Sequence, residues 1–224
     1  MGYTNQELAQ RIDHTLLKPE ATAEMIIKLC AEARQYGFKA VCVQPCYVEL
    51  CGQELAGSGV LTATVIGFPL GANLIETKVF EAEKAFAQGA AEVDMVMNIG
   101  ALKDKNTEYL LREIGSVTVV SRKFPGTAFK VIIETALLTD EEKVLACELV
   151  VKAGADYVKT STGLGGGGAT VQDIRLLAAA LKGRAKIKAS GGIRTRETAE
   201  ELLQAGADRL GASSGVAIVT KKAE

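Results

Sequence analysis

At 224 residues, with 48% hydrophobic and 24% charged side chains, the chain can bury one large core, and α/β barrels commonly reach this length undivided, so residues 1–224 are expected to form a single domain. A net charge of −1 with scattered basic residues gives no general attraction to nucleic acid or to anionic membranes. The N-terminus has neither a basic n-region nor an apolar h-region, and no stretch nears the ~18 apolar residues of a membrane span, which points to a cytoplasmic protein.

The chain opens with a short amphipathic segment, residues 4–11, followed by a brief strand from Ile12 that Pro19 stops. Thr22 precedes a helical pattern with Met25, Ile26, Leu29 and Cys30 on one face, ending at Gly37. Residues 39–43 read as the second strand, and Pro45 starts another helix. Leu61–Ile66 is the third strand, a helix runs from about Ile75 to Gly89, and Glu92–Asn98 is the fourth strand. The same rhythm continues with a helix over 107–124, a strand over 129–134, a helix over 140–153 and a strand starting at Tyr157. A helix follows from Thr170, where Thr170 and Asp173 resemble a capping box, then a strand over 185–190, a helix over 195–205 and a last strand over 208–212. Eight β units alternating with helices in this length predict a (β/α)₈ TIM barrel with a short extra N-terminal helix.

Tyr157-Val158-Lys159-Thr160-Ser161-Thr162-Gly163 places a lysine inside an apolar, β-branched run. Burial disfavours an ammonium, so Lys159 is either a paired structural charge or an amine kept partly neutral to act as a nucleophile. The run from Ala185 to Gly192 repeats the anomaly at Lys188, 29 residues on and about one βαβ unit away. Neighbouring strands six and seven of a parallel barrel would set two such lysines near one mouth, and a second cation is a recognised means of lowering a lysine pKa. Asp94 alternates in step with Val96 on strand four and offers the lysines a carboxylate partner, while Asp13, Thr15 and Glu134 are polar strand residues open to structural or functional use.

Ser190-Gly191-Gly192-Ile193 and Gly211-Ala212-Ser213-Ser214-Gly215 are small residues that let backbone N–H groups approach a ligand, the pattern of a phosphate cup after strands seven and eight. Five glycines between Gly163 and Gly168 predict a mobile loop over the site. The five cysteines, Cys30, Cys42, Cys46, Cys51 and Cys147, include no zinc-like C-x-x-C pair and are expected to be reduced, most of them as packing residues. His14 is the only histidine, too few imidazoles for zinc catalysis, so no metal is expected, although carboxylate-held Mg²⁺ stays open.

Across Asp13-His14-Thr15-Leu16-Leu17-Lys18-Pro19, Glu92-Val93-Asp94-Met95-Val96, Val131-Ile132-Ile133-Glu134-Thr135, Val158 to Gly163, Lys188 to Arg194 and Gly211 to Gly215, the chain resembles the deoxyribose-phosphate aldolase family. The resemblance implies a class I aldolase that cleaves 2-deoxy-D-ribose 5-phosphate reversibly to D-glyceraldehyde 3-phosphate and acetaldehyde. It implies Lys159 as the Schiff-base residue, Asp94 and Lys188 as proton donors and acceptors, and Gly191, Gly192, Ser213 and Ser214 around the phosphate. Thr15, Thr162 and Gly163 complete the expected substrate contacts, and no cofactor is required. Where relatives often read Phe-Ser-Thr, this chain has Leu164-Gly165-Gly166, and it ends at Lys221-Lys222-Ala223-Glu224 without the terminal tyrosine tail of some relatives.

Lys159 must be deprotonated to attack an aldehyde, and lowering its pKa from ~10.4 to the ~7–8 of catalytic lysines takes about 4 kcal/mol of desolvation and repulsion. Asp94 is expected to pair with Lys188, keep it charged, and so leave Lys159 as the amine that loses its proton. Three other readings stay open on these residues: a pyridoxal-phosphate enzyme, a metal-free phosphosugar isomerase, and a non-catalytic sugar-phosphate sensor. The partners expected are a phosphorylated sugar and aldehydes, with a second copy of the chain in a homodimer.

Overall fold

The computed structural model describes residues 2–220, in which eight strand runs close into a parallel barrel: β1 (Ile12–Leu16), β2 (Ala40–Val43), β3 (Leu61–Ile66), β4 (Glu92–Val96), β5 (Ala128–Ile132), β6 (Tyr157–Lys159), β7 (Lys186–Ser190) and β8 (Arg209–Ala212). Each strand pairs with the next and β8 pairs back with β1. Helices occupy the connections: α1 (Asn5–Ala9) before the first strand, then α2 (Ala23–Tyr36), α3 (Val48–Glu54), α4 (Ile75–Ala87), α5 (Ile99–Lys103), α6 (Thr107–Arg122), α7 (Asp140–Lys152), α8 (Val171–Leu181), α9 (Arg196–Gln204) and α10 (Gly215–Thr220). The barrel and the extra N-terminal helix agree with the sequence reading; the expectation about the chain's last four residues falls outside the described residues.

Local chemistry explains most boundaries. Thr22 accepts from the Met25 N–H at the start of α2, and Gly37 ends it in the left-handed region at φ 66. Thr139 and Glu142 form a reciprocal capping box on α7. Only half of the box expected on α8 forms: Thr170 accepts from the Asp173 N–H, but the Asp173 carboxylate turns to Lys143 at 2.7 Å. Pro45 opens a 3-10 turn over Pro45–Tyr47, and α3 begins only at Val48. Helices α5 and α10 are additions to the expected pattern. Strand β5 stops at Ile132, two residues before its predicted end, because Glu134 adopts φ 53 and turns the chain.

Two apolar layers result. A large cluster including Val41, Val93, Phe129, Val158 and Leu210 fills the space between strands and helices. A small one, Leu17, Ala40, Cys42, Ala63 and Val65, occupies the barrel interior along β2, β3 and the segment after β1. Buried charged side chains, Asp13, Glu92, Asp94, Lys130, Lys159 and Lys188 among them, fill much of the remaining interior. Among the described residues no helix is long and apolar enough to cross a membrane.

The loops after β3 and β4 are tied together by a fully buried ion pair between the helices. Lys78 on α4 lies 2.6 Å from Glu113 on α6, and its Nζ also donates to the carbonyls of Gly71 at 2.6 Å and Val96 at 2.8 Å. Glu113 accepts in turn from the Asn98 N–H at 3.0 Å. Gly71 fits because it lacks a side chain: at φ 70, a Cβ there would stand 2.2 Å from the Met97 carbonyl oxygen. Replacing Lys78 by Met strands Glu113 and two carbonyls without water, so Lys78→Met is expected to destabilise by about 3–5 kcal/mol in urea unfolding. A loss under ~1 kcal/mol would mean that the pair carries little of the loop anchoring.

Candidate active site

Strand register decides which side chains meet inside the barrel. Across β3 to β6 one inward row runs Val65, Asp94, Lys130, Tyr157, and its continuation on β7, Lys186, is exposed at the strand's start. Across β5 to β8 a second row runs Ile132, Lys159, Lys188, Arg209. Paired residues share a face, so once Lys159 points inward its register partners do too. Gly211 makes room for Lys188, whose Cε a Cβ at that position would approach to 3.2 Å.

Asp94, fully buried on β4, is the centre. Its Oδ2 accepts from Lys159 at 2.8 Å and from Lys188 at 2.7 Å, and its Oδ1 accepts from Lys130 at 2.8 Å. Lys130 also donates to Glu92 at 2.6 Å. Lys188 has a second carboxylate, Asp13, at 2.5 Å, and Asp13 binds Arg209 through its other oxygen at 2.6 Å. Arg209 closes the network on Glu92, at 3.1 Å. Four cations thus share three carboxylates, leaving the interior one positive charge in excess when every group is ionised.

That excess falls on Lys159. Burial pushes its ammonium down; Asp94 works against this and Lys188 adds to it, with the net shift below the ordinary lysine value. Burial acts on Lys188 too, but Asp13 and Asp94 outweigh it and hold that ammonium well above its usual range. Burial would raise Asp94, yet Lys130, Lys159 and Lys188 keep its carboxyl well below normal. The sequence reading had Asp94 choose Lys188 over Lys159. In the structure one Asp94 oxygen serves both, and Asp13 is what separates the two lysines: Lys188 has two carboxylates and Lys159 has one.

Above this layer, at the C-terminal ends of the strands, lies a cavity of about 260 Å³ whose lining includes Lys159, Thr15, Thr162, Gly163, Gly191, Gly192 and Ser213. Asp94 and Lys188 lie beneath it, fully buried, and Ser214 does not line it. Lys18, Leu164 and Arg194 do, although sequence reasoning did not single them out for this. Among the described residues no three His, Cys, Asp or Glu side chains are grouped to hold a metal ion.

The glycine-rich loop is packed tightly against its surroundings. A Cβ on Gly165 would come within 2.9 Å of the Glu134 carboxylate, one on Gly167 within 2.3 Å of Ala136, and one on Gly168 within 2.4 Å of the Gly191 carbonyl oxygen. Ala169 N–H donates to the Ser190 and Gly191 carbonyls, each at 3.1 Å. Gly165, Gly167 and Gly168 thus serve close approach, while Gly163 and Gly166 take φ 82 and φ 80, a use of glycine the sequence reading did not separate from loop motion. Glu134 holds the start of the loop by accepting from the Thr162 N–H at 3.2 Å and its hydroxyl at 2.6 Å.

An eight-stranded parallel barrel with a lysine held below its ordinary pKa under a cavity at the C-terminal mouth defines a barrel enzyme equipped for amine chemistry. The chain belongs to the DeoC/LacD family of aldolases, whose sequence profile matches residues 8–221. It is 56% identical over 214 residues to the deoxyribose-phosphate aldolase of Listeria monocytogenes serovar 1/2a, covering 95% of each chain. It is 57% identical over 215 residues to deoxyribose-phosphate aldolase 1 of Bacillus licheniformis, covering 96% of this chain and 95% of that one. Its structure matches the tetrameric deoxyribose phosphate aldolase of Aeropyrum pernix with a TM-score of 0.90 at 36% identity, over 96% of this chain and 91% of the other.

The shifted charges make stability depend on pH. Asp13 and Asp94 are held below their unfolded values of about 3.9, so their contribution is fully present above that pH and is lost as pH falls through their folded values. Lys188 is raised, so its contribution is present below its unfolded value of about 10.4 and lost as pH climbs through its folded value. Urea melts across pH should therefore show stability falling on acidification below ~4, with the slope flattened in Asp13→Asn. An unchanged acid slope in that variant would remove Asp13 from the account.

Proposed function

We propose that the protein is a deoxyribose-phosphate aldolase in which Lys159 forms a Schiff base with the substrate. The observation that carries this is the position of Lys159: of the four cations in the interior it alone has a single carboxylate oxygen, shared with another lysine, and it alone lines the cavity. A neutral Lys159 leaves the interior balanced, four cations against three carboxylates having become three against three. Its free Nζ attacks the aldehyde carbon of open-chain 2-deoxy-D-ribose 5-phosphate, and the carbinolamine expels water to give an iminium. The iminium restores the positive charge beside Asp94 Oδ2, which was already in place to receive it.

From that iminium, a base removes the proton of the hydroxyl on the carbon β to the iminium carbon, and the bond between the α and β carbons breaks. Its electron pair flows into the iminium to give an enamine, and D-glyceraldehyde 3-phosphate leaves. Protonation of the enamine carbon and hydrolysis release acetaldehyde. Lys188 and Asp94 lie beneath the cavity, so they reach the reacting atoms through Lys159 or through water, Lys188 as the acid and Asp94 as its conjugate partner. The backbone at Gly191 and Gly192, at φ 87 and φ 76, together with the Lys18 and Arg194 side chains at the rim, supports a phosphate subsite.

The reading is tested by incubating the protein with acetaldehyde, reducing with borohydride and mapping the modified peptide. An ethyl adduct on Lys159 is expected, with none in Lys159→Arg, since a guanidinium stays protonated. Cleavage activity retained in Lys159→Arg would refute it. Lys188→Leu removes the neighbouring cation, so the pKa of Lys159 should rise by about one unit or more and the residual rate should recover as pH is raised. A pyridoxal-phosphate enzyme would instead show visible absorption of its internal aldimine, and an isomerase would give no reducible adduct.

The homodimer is part of the same proposal. Leu74 and Phe80 on and beside α4 and Val119 on α6 are 72%, 59% and 63% exposed, which supports an apolar contact face on that side. Sedimentation of wild type and Phe80→Asp checks this: a wild-type protein that is monomeric at micromolar concentration rules the dimer out.

A further inference from the structure

The three cations Lys159, Lys188 and Arg209 stand at matched register on three consecutive strands, a row with the ~4.8 Å spacing of a sheet. Arg209 does not line the substrate cavity; it sits at the other end of the barrel, 5% exposed, with its guanidinium 5.9 Å from the Tyr157 ring centre, and with Tyr157 and Glu92 it lines a depression at the N-terminal ends of the strands. It is nevertheless linked to the reactive end by two short chains of ion contacts. One runs from Arg209 through Asp13, 2.6 Å away, to Lys188, 2.5 Å further, and then to Asp94. The other runs from Arg209 through Glu92, at 3.1 Å, to Lys130 at 2.6 Å and again to Asp94 at 2.8 Å.

Both chains end on the one carboxylate that Lys159 has. We propose that Arg209 and Glu92 are positioning residues of opposite sign that set the protonation of Lys159 from the far end of the barrel, by fixing how much of Asp94 remains for it. Arg209 draws on Asp13, so Lys188 relies more on Asp94 and Lys159 less. Glu92 occupies Arg209 and Lys130, which leaves more of Asp13 to Lys188 and more of Asp94 to Lys159. The charge count leads to the same signs: without Arg209 the interior is balanced with Lys159 protonated, and without Glu92 it holds two excess positive charges, which a proton on Lys159 aggravates.

Every charged or titratable group facing Lys159 enters this account. From β4 comes Asp94, from β7 Lys188, and from β2 Cys42, whose thiol burial pushes up and so keeps neutral. Behind them stand Asp13 of β1, Lys130 of β5 and the Glu92–Arg209 pair. A pillar that merely holds the barrel open would slow the enzyme or loosen its fold when removed, but it would not displace the pH dependence in a direction set by the charge removed.

The inference rests on the Schiff-base reading, and the experiment keeps the two apart. Wild type, Arg209→Gln, Glu92→Gln and the double variant are treated with acetaldehyde and cyanoborohydride across the neutral-to-alkaline range. The rate of adduct formation on Lys159 is followed by mass spectrometry, with circular dichroism reporting the fold. The midpoint of the pH–rate curve is expected to move up by about one unit or more in Arg209→Gln and down in Glu92→Gln, and to return near wild type in the double variant, where a cation and an anion are removed together. If one single variant does not fold, the other read against the double still gives a sign. Midpoints that stay put, or that shift the same way in both single variants, overturn the proposal. A wild-type protein that traps no aldehyde on Lys159 refutes the Schiff-base reading instead.

Discussion

Asp94 Oδ2 accepts from two lysines at once, at 2.8 and 2.7 Å, in a fully buried position. Buried ion pairs are poor sources of stability, because desolving each charge costs several kcal/mol that good geometry only offsets. A cluster of four cations and three carboxylates is therefore an expensive way to fill a barrel. What it provides is a graded set of environments: Lys188 and Lys130 each touch two carboxylates, Arg209 touches two, and Lys159 touches one. The side chain with the weakest claim on its proton is the one at the floor of the cavity.

The fold supplies the rigidity this arrangement needs. The interior is apolar along β2 and β3, and its ionic cluster draws on β1 and β4 to β8, so the charged part leans on a packed wall of Ala40, Cys42, Ala63 and Val65. Around the mouth, buried polar contacts hold the loops from outside: Lys78 gathers the Gly71 and Val96 carbonyls, and Glu134 grips Thr162. Both devices act on loop backbone close to the strand ends, where small displacements would move the lysine and its cavity apart.

The alternation of strands and helices was legible in the sequence because caps and glycines mark most boundaries, and Lys159, Lys188 and Asp94 were legible because each breaks an apolar strand. The same anomaly marks Lys130 within Phe129-Lys130-Val131, and Glu92 lies one alternation step from Asp94. The period-two rule that placed Asp94 would have placed both. Arg209 was harder to see, since a charged residue at a strand start is ordinarily solvent-facing. Asp13's part in separating the two lysines depends on which strands close the barrel, a tertiary fact. Helices α5 and α10, five and six residues long, are too short for periodicity to show. The close packing at Gly165, Gly167 and Gly168 was not legible because glycine has two uses, freedom and closeness, and sequence alone does not say which.

That closeness bears on how the site can diverge. Between Gly163 and Gly168 the only side chain belongs to Leu164, which is 55% exposed and lines the cavity. At Gly165, Gly167 and Gly168 even a methyl group collides with the Glu134 carboxylate, with Ala136 or with the Gly191 carbonyl. Variation along this stretch is thus channelled through a single position. A lineage, or a laboratory library, can retune the wall facing the substrate at residue 164 in one step, whereas change at these three glycines must be accompanied by compensating change elsewhere in the mouth.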